Sequence, residues 1–310
     1  MPDLILHQYA TSPFSEKVRA ILGAKNLAWA AVEIPSILPK PDVVCLTGGY
    51  RRTPVLQIGA DIYCDTALIA RTLDSLAPSP PLYPDRYAAA TVALAQWADS
   101  TLFLAAAVLF FQRDVLEQIF GGRADLLQAL VADRVAMRKG APGRRPTAIE
   151  ARQIIEGFAH RFDTQLARGG EWLVGNVPTI ADFSAYHALW FVLASPGIRN
   201  LLAPFEYVAR WMQAIRAFGH GRMTKLSPAE AVEVARNSTP LSLEPSSDSE
   251  EFAPGTSVEV LPTDYAFDPV AGRLQRLGAD EIAIGRSDAR AGDLIVHFPR
   301  AGYEIRKPAG

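Results

Sequence analysis

Short apolar runs alternate with stretches of helical period through roughly the first eighty residues, and this pattern predicts a mixed α/β unit. Leu4 to His7 reads as a first strand, Ser15 to Lys25 as a helix and Ala28 to Ile34 as a second strand. Pro54 to Ile58 and Asp61 to Cys64 read as a hairpin turning at Gly59, followed by a helix from Asp65 to about Leu76. Between them, Pro35 to Arg52 carries three prolines and a Gly48-Gly49 pair, so it is expected to be mainly loop with one short helix. Ala77 to Asp85 (APSPPLYPD) holds four prolines in nine residues, which rules out continuous helix and marks a boundary.

Beyond that boundary the period is helical throughout. Tyr87 to Phe120 and Arg123 to Arg138 have helical composition, and Ile155, Phe158, Phe162 and Leu166 recur on one face of a further helix. Thr179-Ile180-Ala181-Asp182 is a Thr-x-x-Asp start, in which the hydroxyl is expected to accept an N–H and the carboxylate to answer back. The helix it opens runs to about Leu193 and is dominated by apolar residues, so it is expected to be central. A last helix, Pro204 to Phe218, stops at Gly219.

After Arg222 the character changes again. Ser227 to Arg236 reads as a short helix and Asn237 to Ser257 as a polar linker. Four short strands follow, at Val258 to Leu261, Glu281 to Gly285, Leu294 to Phe298 and Tyr303 to Arg306. Such a piece has a small core of its own and is expected to dock on the rest. The chain therefore divides into an α/β unit at 1–76, a linker at 77–85, an all-helical domain at 86–222 and an extension at 223–310, the last being a short helix, a polar linker and a small β-rich subdomain.

Composition narrows the functions. With 310 residues, 49% hydrophobic and 21% charged, the chain reads as an ordinary soluble protein of two or more domains. A formal charge of -2 gives no reason to expect nucleic acid as a partner. The start, Met1-Pro2-Asp3-Leu4, lacks the basic segment and apolar run of a secretory signal, so a cytoplasmic protein is expected. The most apolar run, Leu102 to Phe111, lies between Asp99 and Arg113 and falls short of the ~20 residues that span a bilayer, so no membrane is expected as a partner. Cys45 and Cys64 form no CxxC pair and read as reduced core residues. The five histidines are scattered without ligand spacing, and no metal is expected.

Three segments carry candidate chemistry. Ser12-Pro13 sits where an N-cap and a first-turn proline would open the first helix, and backbone N–H groups there favour an anion such as a thiolate. By itself a serine so placed is a cap, but a hydroxyl that accepts an N–H still has its proton to donate. Arg51-Arg52-Thr53-Pro54-Val55-Leu56 leads into the hairpin, and from the sequence alone its X-Pro bond is read as trans. Asp65-Thr66 follows a strand at a helix start and by itself reads as a cap.

Taken together, SPFSEKVR, RRTPVL, Asp65-Thr66 and PTIADFSAY resemble the soluble glutathione transferases over roughly residues 4 to 218. The resemblance implies a thioredoxin-like amino-terminal domain that binds glutathione as co-substrate, an all-α domain and a homodimer. It implies a cis Thr53-Pro54 bond, with the Thr53 backbone pairing to the cysteinyl part of the tripeptide. Asp65 and Thr66 stand where the family usually has Glu-Ser and would hold the γ-glutamyl end; Asp shortens the reach to the amino group. Arg52 would lie near the tripeptide. The catalytic hydroxyl falls on Ser12, as in the serine-type classes, with Tyr9 as its rival nearer the strand end. Ser15 replaces the second cysteine of a redox CxxC motif, so dithiol chemistry is not expected. A small hydrophobic electrophile would lie between the domains, against Phe14, Trp97, Phe103, Phe110 and Phe111. The alternatives are a non-catalytic interaction module built on the same fold, and a glutathione-dependent isomerase, dehalogenase or peroxidase.

Overall fold

A computed structural model describes residues 3–308. The amino-terminal unit runs β1 (Leu4–Gln8), α1 (Pro13–Ala24), β2 (Ala28–Glu33), α2 (Pro41–Thr47), β3 (Val55–Ile58), β4 (Asp61–Cys64) and α3 (Thr66–Leu76). β1 lies between parallel β2 and antiparallel β3, and β4 pairs antiparallel with β3. Because β1 has sheet neighbours on both edges and packing on both faces, all five of its residues are buried. Leu4 and Leu6 face one apolar cluster with α1 and α3, while Ile5 faces the other with α2.

The helical layer comprises α4 (Ala88–Trp97), α5 (Phe103–Phe110), α6 (Arg113–Phe120), α7 (Ala124–Arg138), α8 (Ala148–Ala167), α9 (Ile180–Leu193) and α10 (Glu206–Ala217). A wider π turn at Ala98–Leu102 joins α4 to α5. The helical stretch Asp85–Phe110 therefore runs 26 residues and contains an 18-residue window of mean hydropathy 1.5, long and apolar enough by length and composition alone to cross a membrane. The helix is longer than the apolar run Leu102 to Phe111 from which the expectation was drawn. Asp99 does not end the rod, because Lys17 and His187 hold its carboxylate inside. The rod packs against α8 and α9, as the core helix of a globular protein does. A helix break at Phe111–Gln112 divides what the sequence reads as one helix to Phe120, and Gly121 caps that helix where the sequence ends it. At α9 the expected capping box forms: Asp182 Oδ2 accepts from Thr179 N at 2.9 Å, and the Thr179 hydroxyl is also 3.0 Å from that carboxylate. Trp211 Nε1 and Leu173 N also bond to Asp182, so one buried carboxyl ties three segments together.

The extension comprises β5 (Arg222–Lys225), α11 (Pro228–Arg236), β6 (Ser246–Ser247), β7 (Ser257–Pro262), β8 (Val270–Leu277), β9 (Glu281–Asp288), β10 (Gly292–Pro299) and β11 (Tyr303–Arg306). It does not form a separate subdomain. β10 pairs parallel with β4 and β5 pairs parallel with β2, giving one eleven-stranded sheet in the order β11-β7-β8-β9-β10-β4-β3-β1-β2-β5, with β6 on β8. Three strands escape the sequence pattern. β8 has a register shift between Leu274 and Arg276 that breaks its alternation. β5 is exposed at every residue, and β6 has only two.

The second apolar cluster is shared. Ile5, Val43, Leu46, Val55 and Ile62 pack with Val258, Leu274, Ile284, Val296 and Phe298. Truncating the fully buried Phe298 to Ala should cost about 3–5 kcal/mol, read by chemical denaturation, and it should lower the stability of the whole sheet. A strand-only loss, with the amino-terminal unit melting as before, would contradict a common core.

His7 in β1 bonds to Gln57 at 2.8 Å, and Gln57 bonds to the Ala231 carbonyl of α11 at 2.8 Å. Burial pushes the imidazole from 6.5 down to about 4, against the weaker pull of Gln57 and Asp42. The folded state thus holds His7 neutral while the unfolded chain protonates below 6.5, so stability falls as pH drops from 6.5 to about 4. The loss is about 3 kcal/mol, and urea titrations across that range should show a shallower pH slope for His7→Asn than for the parent.

Candidate functional site

The ladder brings the three candidate segments to one end of the sheet. His7 pairs with Val55 and Val55 with Cys64, so the next position along places Pro54 between Gln8 at the end of β1 and Asp65 at the end of β4. The loop from Tyr9 to Ser12 and the start of α3 adjoin that position. The Thr53-Pro54 bond is cis, against the reading of the sequence alone and as the resemblance implies. Leu38-Pro39 and Ser79-Pro80 are cis as well.

Ser12 caps α1: its Oγ accepts from Ser15 N at 3.1 Å, and its own N–H bonds to the Tyr9 carbonyl at 3.0 Å. The residue is 2% exposed. Tyr9 is engaged elsewhere, its hydroxyl accepting from Arg134 of α7 at 3.4 Å while Lys40 lies 5.9 Å from its ring centre. Lys40 donates to Thr53 Oγ1 at 2.9 Å and to the Arg51 carbonyl at 3.3 Å. Burial, with Arg134 nearby, brings its ammonium down to about 8 although Asp133 pulls the other way.

Asp65 is the N-cap of α3 with φ 74°, and its Oδ1 accepts from Ala67 N at 2.9 Å. Its Oδ2 accepts from the hydroxyl of Tyr303, which also pairs with that of Tyr50 at 2.9 Å. Arg52 donates to the Asp264 carboxylate and the Tyr265 carbonyl, and its guanidinium stacks 3.9 Å from the Tyr265 ring centre. Thr66 is 5% exposed, and its hydroxyl oxygen accepts from Lys17 Nζ at 3.2 Å.

Lys17 joins this end of the sheet to the helical layer. Fully buried, it also donates to Asp99 Oδ2 at 2.6 Å, and Asp99 Oδ1 bonds to His187 Nε2 at 3.0 Å. Burial would raise the Asp99 carboxyl, but Lys17 and His187 outweigh it and hold it at about 2. Burial in turn lowers His187, against the pull of Asp99. Phe14 packs 4.5 Å from both Phe103 and His187, and Phe110 stacks 4.5 Å from Phe191, which lies 6.2 Å from Phe103. Phe111 packs on Phe110. Trp97 does not join this group: it packs 5.5 Å from Phe158 of α8.

A cavity of about 760 Å³ opens along another face of α1, lined by Glu16, Arg19, Tyr186, Trp190, His220 and Met223 among others. A second, of about 510 Å³, lies along α11. Neither is lined by Ser12, Pro54, Asp65, Phe14, Phe103 or Phe110, so the expected electrophile pocket does not coincide with either. Among the described residues no cluster of three or more His, Cys, Asp or Glu is arranged to hold a metal ion. Cys45 and Cys64 are free and buried, and burial pushes both thiols up.

Lys17, Lys40, Asp99, His187, Asp264, Tyr265 and Tyr303 were not among the site residues read from sequence. Lys17 lies within the SPFSEKVR segment and could have been flagged as a cation on an otherwise apolar helix face. Tyr303 carries no local signal, since its partner Asp65 is 238 positions away.

Residues 6–81 match the family model described as glutathione S-transferase, N-terminal domain, and residues 104–214 match that of the C-terminal domain. A comparison with curated proteins finds no match. Among solved structures, a GST-like protein from Pseudomonas syringae is 40% identical with a TM-score of 0.83, and the alignment covers 99% of this chain and 100% of that one. Glutathione transferase F2 of Populus trichocarpa is 14% identical over 69% of this chain and 93% of its own, with a TM-score of 0.51. A glutathione S-transferase of Rhodospirillum rubrum is 20% identical over 69% and 88%, again at 0.51. The last two share the fold alone, whereas the Pseudomonas protein spans the extension too. On the two domain matches and that full-length likeness, the chain belongs to the glutathione S-transferase family.

Proposed function

We propose that the protein is a glutathione transferase-like enzyme that holds the tripeptide at the end of β1 and ionises its thiol for attack on a small hydrophobic electrophile. The observation that carries this reading is the meeting of Ser12 at the start of α1, the cis Thr53-Pro54 bond and the Asp65-Thr66 cap at one end of the sheet. In this reading the Thr53 backbone pairs with the cysteinyl part, Asp65 receives the γ-glutamyl amino group, Thr66 and Arg52 attend its carboxylate, and Phe14, Phe103 and Phe110 face the electrophile. A cytoplasmic homodimer acting in detoxification is the natural setting for such an enzyme.

The energetics favour Ser12 over a general base. A free thiol has pKa near ~8.5, so lowering it by about two units requires roughly 2.7 kcal/mol of preferential thiolate stabilisation. A hydrogen bond to a charged group contributes roughly 1.5–3 kcal/mol and a helix start roughly 0.3–1. The Ser12 oxygen already accepts from Ser15 N, which leaves its proton free to donate. Tyr9 is the weaker candidate because its hydroxyl is turned to Arg134.

A second reading keeps the fold without catalysis and makes the protein an interaction module. It is favoured by the engagement of Arg52 and Asp65 by the extension and by the 2% exposure of Ser12. Immobilised glutathione separates the two, since only a glutathione-binding protein is retained and then eluted by the free tripeptide. With a halogenated aromatic as electrophile, Ser12→Ala should lower turnover about ten- to hundredfold while glutathione affinity is nearly kept. Loss of affinity at unchanged turnover would show that Ser12 has a different role.

A further inference from the structure

The extension reaches the glutathione corner at two places. From β11, Tyr303 donates its hydroxyl to Asp65 Oδ2 at 3.1 Å. From the turn between β7 and β8, Asp264 and Tyr265 hold Arg52 by a carboxylate, a carbonyl and a stacked ring. That turn is fastened at several points: Thr263 N bonds to the Gly302 carbonyl at 3.0 Å, Ala266 N to the Met137 carbonyl of α7 at 2.7 Å, and Asp268 lies 3.9 Å from Arg51. Ala266 takes φ 51°, a left-handed conformation that a non-glycine residue adopts at some cost and that the anchoring at Met137 holds in place.

We propose that Tyr303, Asp264 and Tyr265 are positioning residues for the γ-glutamyl end of glutathione, so that the extension builds the outer half of the binding corner. The inference rests on the glutathione-binding reading above. Aspartate is one methylene shorter than glutamate, so its carboxylate must stand in one orientation to reach an ammonium group. Two bonds fix it here, Ala67 N on Oδ1 and Tyr303 on Oδ2. A carboxylate has about four acceptor positions, which leaves room for the ligand's amino group. Burial keeps the Tyr303 phenol far above its ordinary value, so it remains a donor at every physiological pH.

Arg52 is treated in the same way. Its Nη2 is committed to the extension, while Nε is buried without a hydrogen-bond partner and Nη1 has only Asp65 at 3.9 Å. Donors of a guanidinium clamped in one plane thus remain uncommitted beside Asp65. An unpartnered buried N–H is costly unless something accepts from it, and a ligand carboxylate is the group that the chemistry of the corner suits.

The test compares two ligands on three proteins. Calorimetry with glutathione and with cysteinylglycine, which lacks the γ-glutamyl group, is run on the parent, Tyr303→Phe and Asp264→Asn. Tyr303→Phe should weaken glutathione about tenfold and leave cysteinylglycine within about twofold. The KM for glutathione should rise with it while kcat at saturation holds. Asp264 is 58% exposed at its side chain, so Asp264→Asn tests the Arg52 half without threatening the fold and should act in the same direction. Unchanged or tighter glutathione binding in both variants overturns the inference, tighter binding meaning that the extension obstructs the corner. Equal weakening of both ligands overturns it too, because a merely structural role damages the whole site. If the parent binds neither ligand, the glutathione reading fails and takes this inference with it.

Discussion

The hydrogen-bonded pairing of β10 with β4 is the constraint on which the rest of the molecule depends. Without it the thioredoxin-like unit would end at β4, and Asp65, which follows that strand directly, would stand at an open edge. With it, Ile295, Val296 and His297 lie opposite Asp61, Ile62 and Tyr63, and everything carried by the extension is set at a fixed distance from the candidate corner. The register is reinforced by His297, which bonds Asp61 at 3.0 Å and Glu281 at 2.6 Å and stacks 4.4 Å from Tyr63. The two carboxylates raise its pKa against the effect of burial.

A second tie joins the sheet to the helical layer. The Lys17 ammonium, removed from water, must be matched by charge, and Asp99 supplies it from the middle of an apolar helical rod. Neither residue would be tolerated there alone, since an isolated buried charge costs several kcal/mol. Thr66 completes the set, so the start of α3, the first helix and the helical layer share one buried polar junction next to the aromatic cluster of Phe14 and Phe103. The site is thus assembled from three parts of the chain that approach it from different directions.

What was legible in the sequence follows from the range over which each signal acts. The Ser12-Pro13 cap, the prolines between 77 and 85 and the Thr179 to Asp182 start act over a few residues, and their elements appear within a residue or two of the expected bounds. The strands of the extension were legible as strands, but not as members of the amino-terminal sheet, because pairing between β4 and β10 leaves no mark on either strand's alternation. β8 was hidden by its bulge. At the site, the segments and the cis bond were legible through family resemblance, whereas Tyr303 and Tyr265 were not, as they act on residues more than two hundred positions away. Trp97 shows the converse: an aromatic residue on the expected helix packs on Phe158 of α8 instead of joining the Phe14 group.

The sheet's two outermost strands are β11 and β5, each four residues long and each carrying charged side chains, as YEIR and RMTK. Short, charged margins make poor templates for another chain's backbone. By moving the margins of the four-stranded unit outwards onto such strands, the extension leaves β2 and β4 nothing with which to recruit a neighbour. The margins of the sheet are therefore strands ill suited to backbone pairing with another chain, whereas β2 and β4 would lie open without the appended residues.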